Sequence, residues 1–349
     1  MKITFLTPTL EIHGGNICML KYADFLVKNH HQVTIIAPNK KNGLKINPKI
    51  RLLIYPKFKI KWVDFFTFQL VYYWKIKKLI SECDFIIPIY TPLLIPTIVA
   101  KEEKKLKAKI VLLYQEPLEM LWVGPYNKFI LSSPKIQKYL SGTIAVSKAI
   151  AEQFRKLTHK KAKIINNGIE NEIFYDRKLP KKNYLLFVGR PNKPKGFNVF
   201  VKAFKNVQKI FPNLKAIAVS PNVEKKQIKN LKFILGNNRE KLAKIYSQAL
   251  IYVNPSYAES FGLTSLEAMA SKTAVVLTNT QGAKEYAQNN KNCLVTPVGD
   301  ANKLNQAIIK IIKNPSLRKK LEINGLKTAS KFQWEKSAKE FLDYLNSLR

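Results

Sequence analysis

The chain has 349 residues, 46% of them hydrophobic, and a mean hydropathy of -0.16, a balance that excludes a disordered polymer and a membrane-embedded bundle. Its length exceeds what one core comfortably fills, about 250 to 300 residues, so two domains are expected. The formal net charge of +37 is spread over both halves, which excludes a basic tail and suits anionic partners such as nucleotides, lipid headgroups or nucleic acid without choosing among them; a lysine- and isoleucine-heavy composition explains it equally well.

The opening MKITFLTPTL has one lysine and an apolar run but no small-residue cleavage site behind it. It reads as a first β-strand, and a cytoplasmic protein is expected. A loop with His13, Gly14 and Gly15 follows, ahead of the helical pattern NICMLKYADFLVKN. Glycine lets backbone N–H groups approach an anion and a helix N-terminus favours negative charge, so this is a candidate phosphate contact. The runs HQVTIIAP, RLLIYP, DFIIPIY, KIVLLYQ and GTIAVS continue a strand series, separated by longer amphipathic stretches, the pattern of α/β units on a parallel sheet.

One segment breaks the rhythm. Residues 57–78, KFKIKWVDFFTFQLVYYWKIKK, have aromatic and aliphatic residues in the middle and lysines at both ends. The apolar part is shorter than the ~20 residues that span a bilayer and contains Asp64. Two readings stand: a helix lying in a membrane interface with lysines toward anionic headgroups, or an ordinary helix packed on the first sheet.

Turn chemistry fills INNGIENEIFYDRKLPKKN, about residues 165–183, and the domain boundary is expected there. A second strand series then begins: YLLFVGR, KAIAVS, LKFILG, LIYVNPS, TAVVLTN and NCLVTP. In open parallel sheets ligands sit beyond the carboxyl ends of strands. At such an end, Gly189 and Arg190 are followed across a proline-containing loop by Lys195 and Gly196, and a guanidinium fork with a mobile ammonium can clamp a diphosphate.

Further on, YAESFGLTSLEAMA puts Glu259 and Glu267 on either side of a helix start at Ser260 to Thr264. Amides at that start would meet an anion and the carboxylates would accept hydroxyls, which together match a nucleotide sugar; Glu267 favouring only the helix dipole and Glu259 being solvated is the plainer alternative. Cys18, Cys83 and Cys293 are widely spaced and are assigned to packing. His13, His30, His31 and His159 lie in no ligand spacing and no Asp-x-Asp occurs, so no metal is expected.

PSYAESFGLTSLEAMA, with FVGRPNKPKG before it, TQGAKEY and LVTPVGD after it and HGGN near the start, resembles the GT4-type family of retaining glycosyltransferases with the GT-B fold. The resemblance covers nearly the whole chain and implies two doubly wound Rossmann-like domains facing across a deep cleft. Residues 1–166 would bind the acceptor, with helix 334–349 packing back on them, and residues 167–333 the nucleotide-sugar donor. It implies transfer of a sugar from a nucleotide-diphosphate sugar to a hydroxyl of a saccharide or lipid-linked acceptor, in cell-surface polysaccharide or glycolipid assembly, with no cofactor or metal, no nucleic-acid partner, and a place in the cytoplasm or at the inner membrane face.

By the same resemblance, Arg190, Lys195 and Glu259 are the catalytic set. The two cations would neutralise the diphosphate, with amides from Phe261, Gly262, Leu263, Thr264 and Gly15 and contributions from Gly189 and Ser260. Glu259 would hold donor-sugar hydroxyls and Glu267 the ribose, while Asn237 to Lys241 would border the base. Asn167-Gly168 matches the hinge, and Phe332 to Trp334 the start of the closing helix. Two departures stand out. Ser271-Lys272 replaces a small residue and glycine, and Gln115 and Glu116 stand where many relatives carry a histidine, implying a different sugar or acceptor environment. A nucleotide-sugar epimerase or phosphorolytic enzyme of the same fold, or a basic nucleic-acid-binding protein, are the alternatives; the last would show a steep salt slope and indifference to Glu267→Ala.

Overall fold

The computed structural model describes all residues except 12, 39–43, 56–64, 118–123 and 222–226. It divides into two units, Met1–Asn166 with Glu335–Arg349, and Asn167–Trp334.

In the first unit the strands are β1 (Lys2–Leu6), β2 (Gln32–Pro38), β3 (Arg51–Tyr55), β4 (Phe85–Pro88), β5 (Lys109–Tyr114), β6 (Leu140–Ala145) and β7 (Lys163–Ile164). They pair in parallel in the order β3-β2-β1-β4-β5-β6-β7, with Phe5 opposite Ile35 on one side and Ile87 on the other. Parallel strands are covered on both faces, which is why β4 and β5 read as nearly unbroken apolar runs and are buried almost throughout. Six of the seven follow from the sequence pattern; two-residue β7 is too short to leave one.

Between strands run α1 (Gly14–Lys28), α2 (Phe65–Leu79), α3 (Leu94–Glu103), α4 (Gly124–Ser132), α5 (Pro134–Gln137) and α6 (Lys148–Thr158). The expectation that Gly14 and Gly15 precede the first helix is corrected: both lie in its first turn, and His13 is the cap, its ring Nδ1 accepting from the Asn16 amide at 3.4 Å. Buried Asn16 fastens the loop ahead of it, accepting from the Thr7 hydroxyl at 3.0 Å and donating to the carbonyls of Thr9 at 2.9 Å and Glu11 at 2.8 Å.

Of the irregular segment, residues 57–64 lie outside the described residues, and the rest enters α2. One face packs: Ile76 is buried with Leu6, Ile36 and Ile86, and the Tyr72 hydroxyl donates to the Pro8 carbonyl at 2.9 Å. The other face leaves Leu70 and Trp74 each 59% exposed, one turn apart. Among the described residues, no helix is long and apolar enough to cross a membrane.

The second unit has β8 (Lys182–Val188), β9 (Lys215–Ser220), β10 (Leu231–Leu235), β11 (Ala249–Asn254), β12 (Ala274–Thr278) and β13 (Leu294–Thr296), all parallel, in the order β10-β9-β8-β11-β12-β13. Its helices are α7 (Phe197–Gln208), α8 (Arg239–Gln248), α9 (Leu263–Ala270), α10 (Ala301–Lys313) and α11 (Pro315–Ala329). Phe197, Phe200 and Phe204 of α7 close the core over Phe187.

The turn after α9 is made without glycine. Lys272 takes a left-handed φ of 53°, a conformation that costs a side-chain-bearing residue about 1–2 kcal/mol. Lys181 offsets that cost by donating from Nζ to the Lys272 carbonyl at 2.7 Å, and Asp176 pairs with the Lys272 ammonium at 2.8 Å. Burial pushes the Lys181 ammonium down to about 8.

A last helix, α12 (Trp334–Ser347), packs its body on the first unit. Phe341 stacks on Tyr22 of α1, ring centroids 4.3 Å apart, and lies 6.2 Å from the ring of Phe5 in β1. Lys109 donates to the carbonyls of Leu348 and Arg349, and the Ser337 hydroxyl to that of Asn166 at 2.6 Å. Cys18, Cys83 and Cys293 are buried thiols, and burial raises Cys18 and Cys293 to about 12 and Cys83 to about 11.

Candidate active site

Strand order in the second unit reverses between β8 and β11, the point where an open α/β sheet parts its loops and leaves a crevice at its carboxyl edge. The two loops that leave these strands, 189–196 and 255–262, carry the residues singled out from the sequence.

Backbone demands knit the loops together. Gly196, at φ 66°, lies so close to β11's exit that a Cβ there would sit 1.9 Å from the Pro255 carbonyl oxygen. Tyr257 donates its amide to the Pro194 carbonyl at 2.9 Å. With the backbones fixed, the Lys195 ammonium meets the Glu259 carboxylate at 2.8 Å. The Ser256 hydroxyl also donates to that oxygen at 2.7 Å and lies 2.7 Å from the Asn254 side-chain oxygen. Arg190 is exposed at the carboxyl end of β8, directly after Gly189.

Gly262 caps α9 at φ 91°, and a Cβ on it would come within 2.4 Å of the Tyr286 hydroxyl, which donates to the Gly262 carbonyl at 3.0 Å. The Gly282 amide holds the Glu259 carbonyl at 3.0 Å, and Phe261 packs its ring against Tyr286 and Phe332. This bracing fixes the first turn of α9, whose Gly262 cap supplies no side-chain acceptor, and a helix start of that kind offers an anion its free amides and its positive end beside Ser260, Leu263 and Thr264.

Glu267 sits one turn into α9 and is buried at 5% exposure. Burial pushes its carboxyl up, and the Arg239 guanidinium at 2.9 Å pulls against that. Tyr246 donates to its other oxygen at 3.3 Å. Arg239 starts α8 behind the Asn238 cap, also pairs with Glu170, and lies 4.8 Å over the Phe174 ring. Lys195, Glu259, the 260–264 turn and Glu267 thus form one assembly with Arg190 on its edge. Sequence reasoning gave no role to Ser256, Tyr286 or Arg239, which hold it in place, although each lay inside a segment singled out: PSYAESFGLTSLEAMA, TQGAKEY and the stretch bordering the base.

In the first unit the strand order reverses between β1 and β4; Gly15, in the first turn of α1, follows β1, and Gln115 and Glu116 belong to the loop that leaves β5. A Cβ on Gly15 would lie 3.5 Å from the Gln115 side-chain nitrogen, so amide and helix start are neighbours. Glu116 turns inward at 5% exposure: Oε2 accepts from the Thr91 amide at 3.2 Å and the Asn127 side chain at 3.1 Å, and Oε1 has no hydrogen-bond partner among the described residues. Burial pushes this carboxyl up to about 7. Among the described residues, no group of three or more His, Cys, Asp and Glu side chains is arranged to hold a metal.

Chemically, the second-unit assembly offers amides and cations to an anion and two carboxylates to hydroxyls. Residues 169–328 match the family of glycosyl transferases group 1, and residues 12–172 match glycosyltransferase family 4. An uncharacterised glycosyltransferase of Methanocaldococcus jannaschii is 29% identical over 197 residues, 55% of this chain and 56% of that protein. The capsular polysaccharide biosynthesis glycosyltransferase CapM of Staphylococcus aureus is 27% identical over 191 residues, half of each chain. The chain therefore spans about half the length of these curated relatives. Among solved structures, sucrose-phosphate synthase from Thermosynechococcus elongatus superposes with a TM-score of 0.83 at 19% identity over 99% of this chain and 98% of that one. Anabaena HepE in complex with UDP-glucose gives 0.79 at 16% identity over 99% and 100%.

Proposed function

Since the chain belongs to the group 1 glycosyltransferases and has their α/β GT-B class of fold, we propose that it is a retaining enzyme that moves a sugar from a nucleotide-diphosphate sugar to a hydroxyl of a saccharide or lipid-linked acceptor. The observation that carries the reading is the Lys195–Glu259 pair set beside the first turn of α9, with Glu267 one turn further along the same helix. Lys195, Arg190 and the amides of Phe261 to Thr264 take the diphosphate, Glu259 the donor-sugar hydroxyls and Glu267 the ribose. The Gly15 amide adds to the diphosphate contacts and Gln115 serves the sugar and acceptor side, while Glu116, turned inward onto Thr91 and Asn127, lies behind it.

In the transfer, the bond from the acceptor oxygen to the anomeric carbon forms on the face from which the bond to the departing phosphate oxygen breaks. The acceptor proton passes to that phosphate oxygen, so configuration is kept and no protein nucleophile is consumed. The protein's part is to hold the reactants and to stabilise the charge growing on the diphosphate, electrostatic work for which Arg190 and Lys195 supply the cations without a metal.

The exposed Leu70 and Trp74 on α2, with exposed Lys78 in the last turn of the same helix, favour an acceptor presented at an anionic membrane surface, as in surface-polysaccharide or glycolipid assembly.

Calorimetric titration with UDP, GDP, dTDP and CMP and their sugar conjugates tests the donor reading. Selective binding of one diphosphate, followed by a product whose anomeric proton coupling matches the donor's, is expected. Binding without discrimination among the nucleotides would remove the donor site from this helix.

A further inference from the structure

The buried carboxylate of Glu267 needs an account of its own. A carboxylate at 5% exposure loses most of its hydration, and in such a place the neutral acid wins unless a cation faces it. A neutral acid is a poorer acceptor for a sugar hydroxyl than a carboxylate is. Among the described residues, four titratable or charged groups face Glu267. From α8 come Arg239, at 2.9 Å, and Tyr246, at 3.3 Å; Glu170 shares Arg239 from the segment after the first unit, and Tyr252 lies on β11. Arg239 is the only cation among them. Tyr252 and Tyr246 are phenols that burial keeps neutral, and Glu170 is a like charge.

Arg239 is itself held on three sides. One nitrogen reaches both Glu267 and Glu170, the plane lies over Phe174 at 4.8 Å, and its α8 start is fixed by the Asn238 side chain accepting from the Lys241 amide at 2.9 Å. Its charge is taken up by two carboxylates, which leaves little of it for reading a base. We infer that Arg239 is the positioning residue of the nucleotide site: its guanidinium clamps one oxygen of Glu267 and keeps that carboxylate charged and turned for a ribose hydroxyl, in place of touching the nucleotide itself.

This inference rests on the donor-site reading above, and the experiment separates the two. Full-length wild type, Arg239→Met, Arg239→Lys, Glu267→Gln and the Arg239→Met/Glu267→Gln double variant are titrated calorimetrically with UDP, GDP and ADP at pH 6, 7, 8 and 9, with thermal melts to verify folding. For whichever diphosphate the wild type holds most tightly, Arg239→Met is expected to weaken binding about 10- to 100-fold at pH 6, the range lost with one charge-assisted hydrogen bond. Glu267 would then need a higher pH to ionise, so the loss shrinks toward pH 9 and the midpoint of the affinity profile moves up relative to wild type. Arg239→Lys, which keeps the charge, should hold the wild-type midpoint, and the double variant should bind no worse than Glu267→Gln alone.

A weakening by Arg239→Met that is constant across pH, or that adds to that of Glu267→Gln, would overturn the inference while leaving the donor site in place. Indifference of binding to Glu267→Gln would overturn the ribose assignment and the inference with it, and wild type binding none of the three diphosphates would overturn the donor reading as well.

Discussion

Glu116→Gln is expected to stabilise the protein, and to do so only above the range where the carboxyl is neutral. The native carboxyl titrates near 7 against an ordinary value of 4.5 because burial disfavours its charge. Between those two values the folded chain holds a proton that the unfolded chain releases, so stability falls as pH rises through that window and no further above it. The displacement corresponds to about 3 kcal/mol. Substitution by an amide removes this dependence while preserving the contacts: its oxygen can accept from Thr91 and Asn127 as Oε2 does now. Its nitrogen gains nearby acceptors, since the Asn127 side-chain oxygen and the Thr91 hydroxyl are buried and have no hydrogen-bond partner among the described residues. Melting of the two proteins by calorimetry at pH 5, 6, 7, 8 and 9 should show the variant gaining on wild type across the window, by on the order of 10 °C in the first unit at pH 8. A melting difference that stays constant from pH 5 to pH 9 would refute the reasoning, because burial would then not be separating the charged from the neutral form.

Three other outcomes are expected. Arg190→Ala or Lys195→Ala should each lower turnover by about 10²- to 10³-fold in a glycosyl-transfer assay, the loss typical of one charge-stabilising donor, and near wild-type turnover would remove that residue from the mechanism. Gly262→Ala forces a Cβ to within 2.4 Å of the Tyr286 hydroxyl at a left-handed φ, so nucleotide affinity should fall about tenfold or more, and pairing it with Tyr286→Phe should recover part of that by removing the clash. Leu70→Ser with Trp74→Ser should weaken sedimentation with anionic phosphatidylglycerol vesicles at low salt while leaving diphosphate affinity unchanged, and absence of vesicle binding by wild type would count against the membrane reading.

The parallel sheets were legible because their strands are buried on both faces and so leave contiguous apolar runs such as FIIP and KIVLLY. Lys195, Glu259 and Glu267 were legible because they flank loops at the ends of two such runs. What escaped was whatever depends on partners far along the chain. Glu116 reads as a residue facing a sugar until Thr91 and Asn127, 25 and 11 positions away, turn it inward. Arg239 borders a base in sequence, but Glu170 and Glu267, from a linker and another helix, claim its charge. Gly14 and Gly15 look like loop residues because glycine disfavours helices, and only the His13 cap shows that the helix starts at them. Likewise Lys272 reveals no route to a glycine-free turn until Lys181 and Asp176 are found around it.

The placement of α12 bears on the order in which the polypeptide can mature on the ribosome. The second unit is one uninterrupted stretch, Asn167–Trp334, whereas the first is split and is completed by Glu335–Arg349. Until Phe341 emerges, the rings of Tyr22 and Phe5 that it covers stay open to water or to other sticky surfaces. Of the two units, the one whose larger segment is translated earlier is therefore the one completed later, and its nascent form is the one that more needs shielding during synthesis.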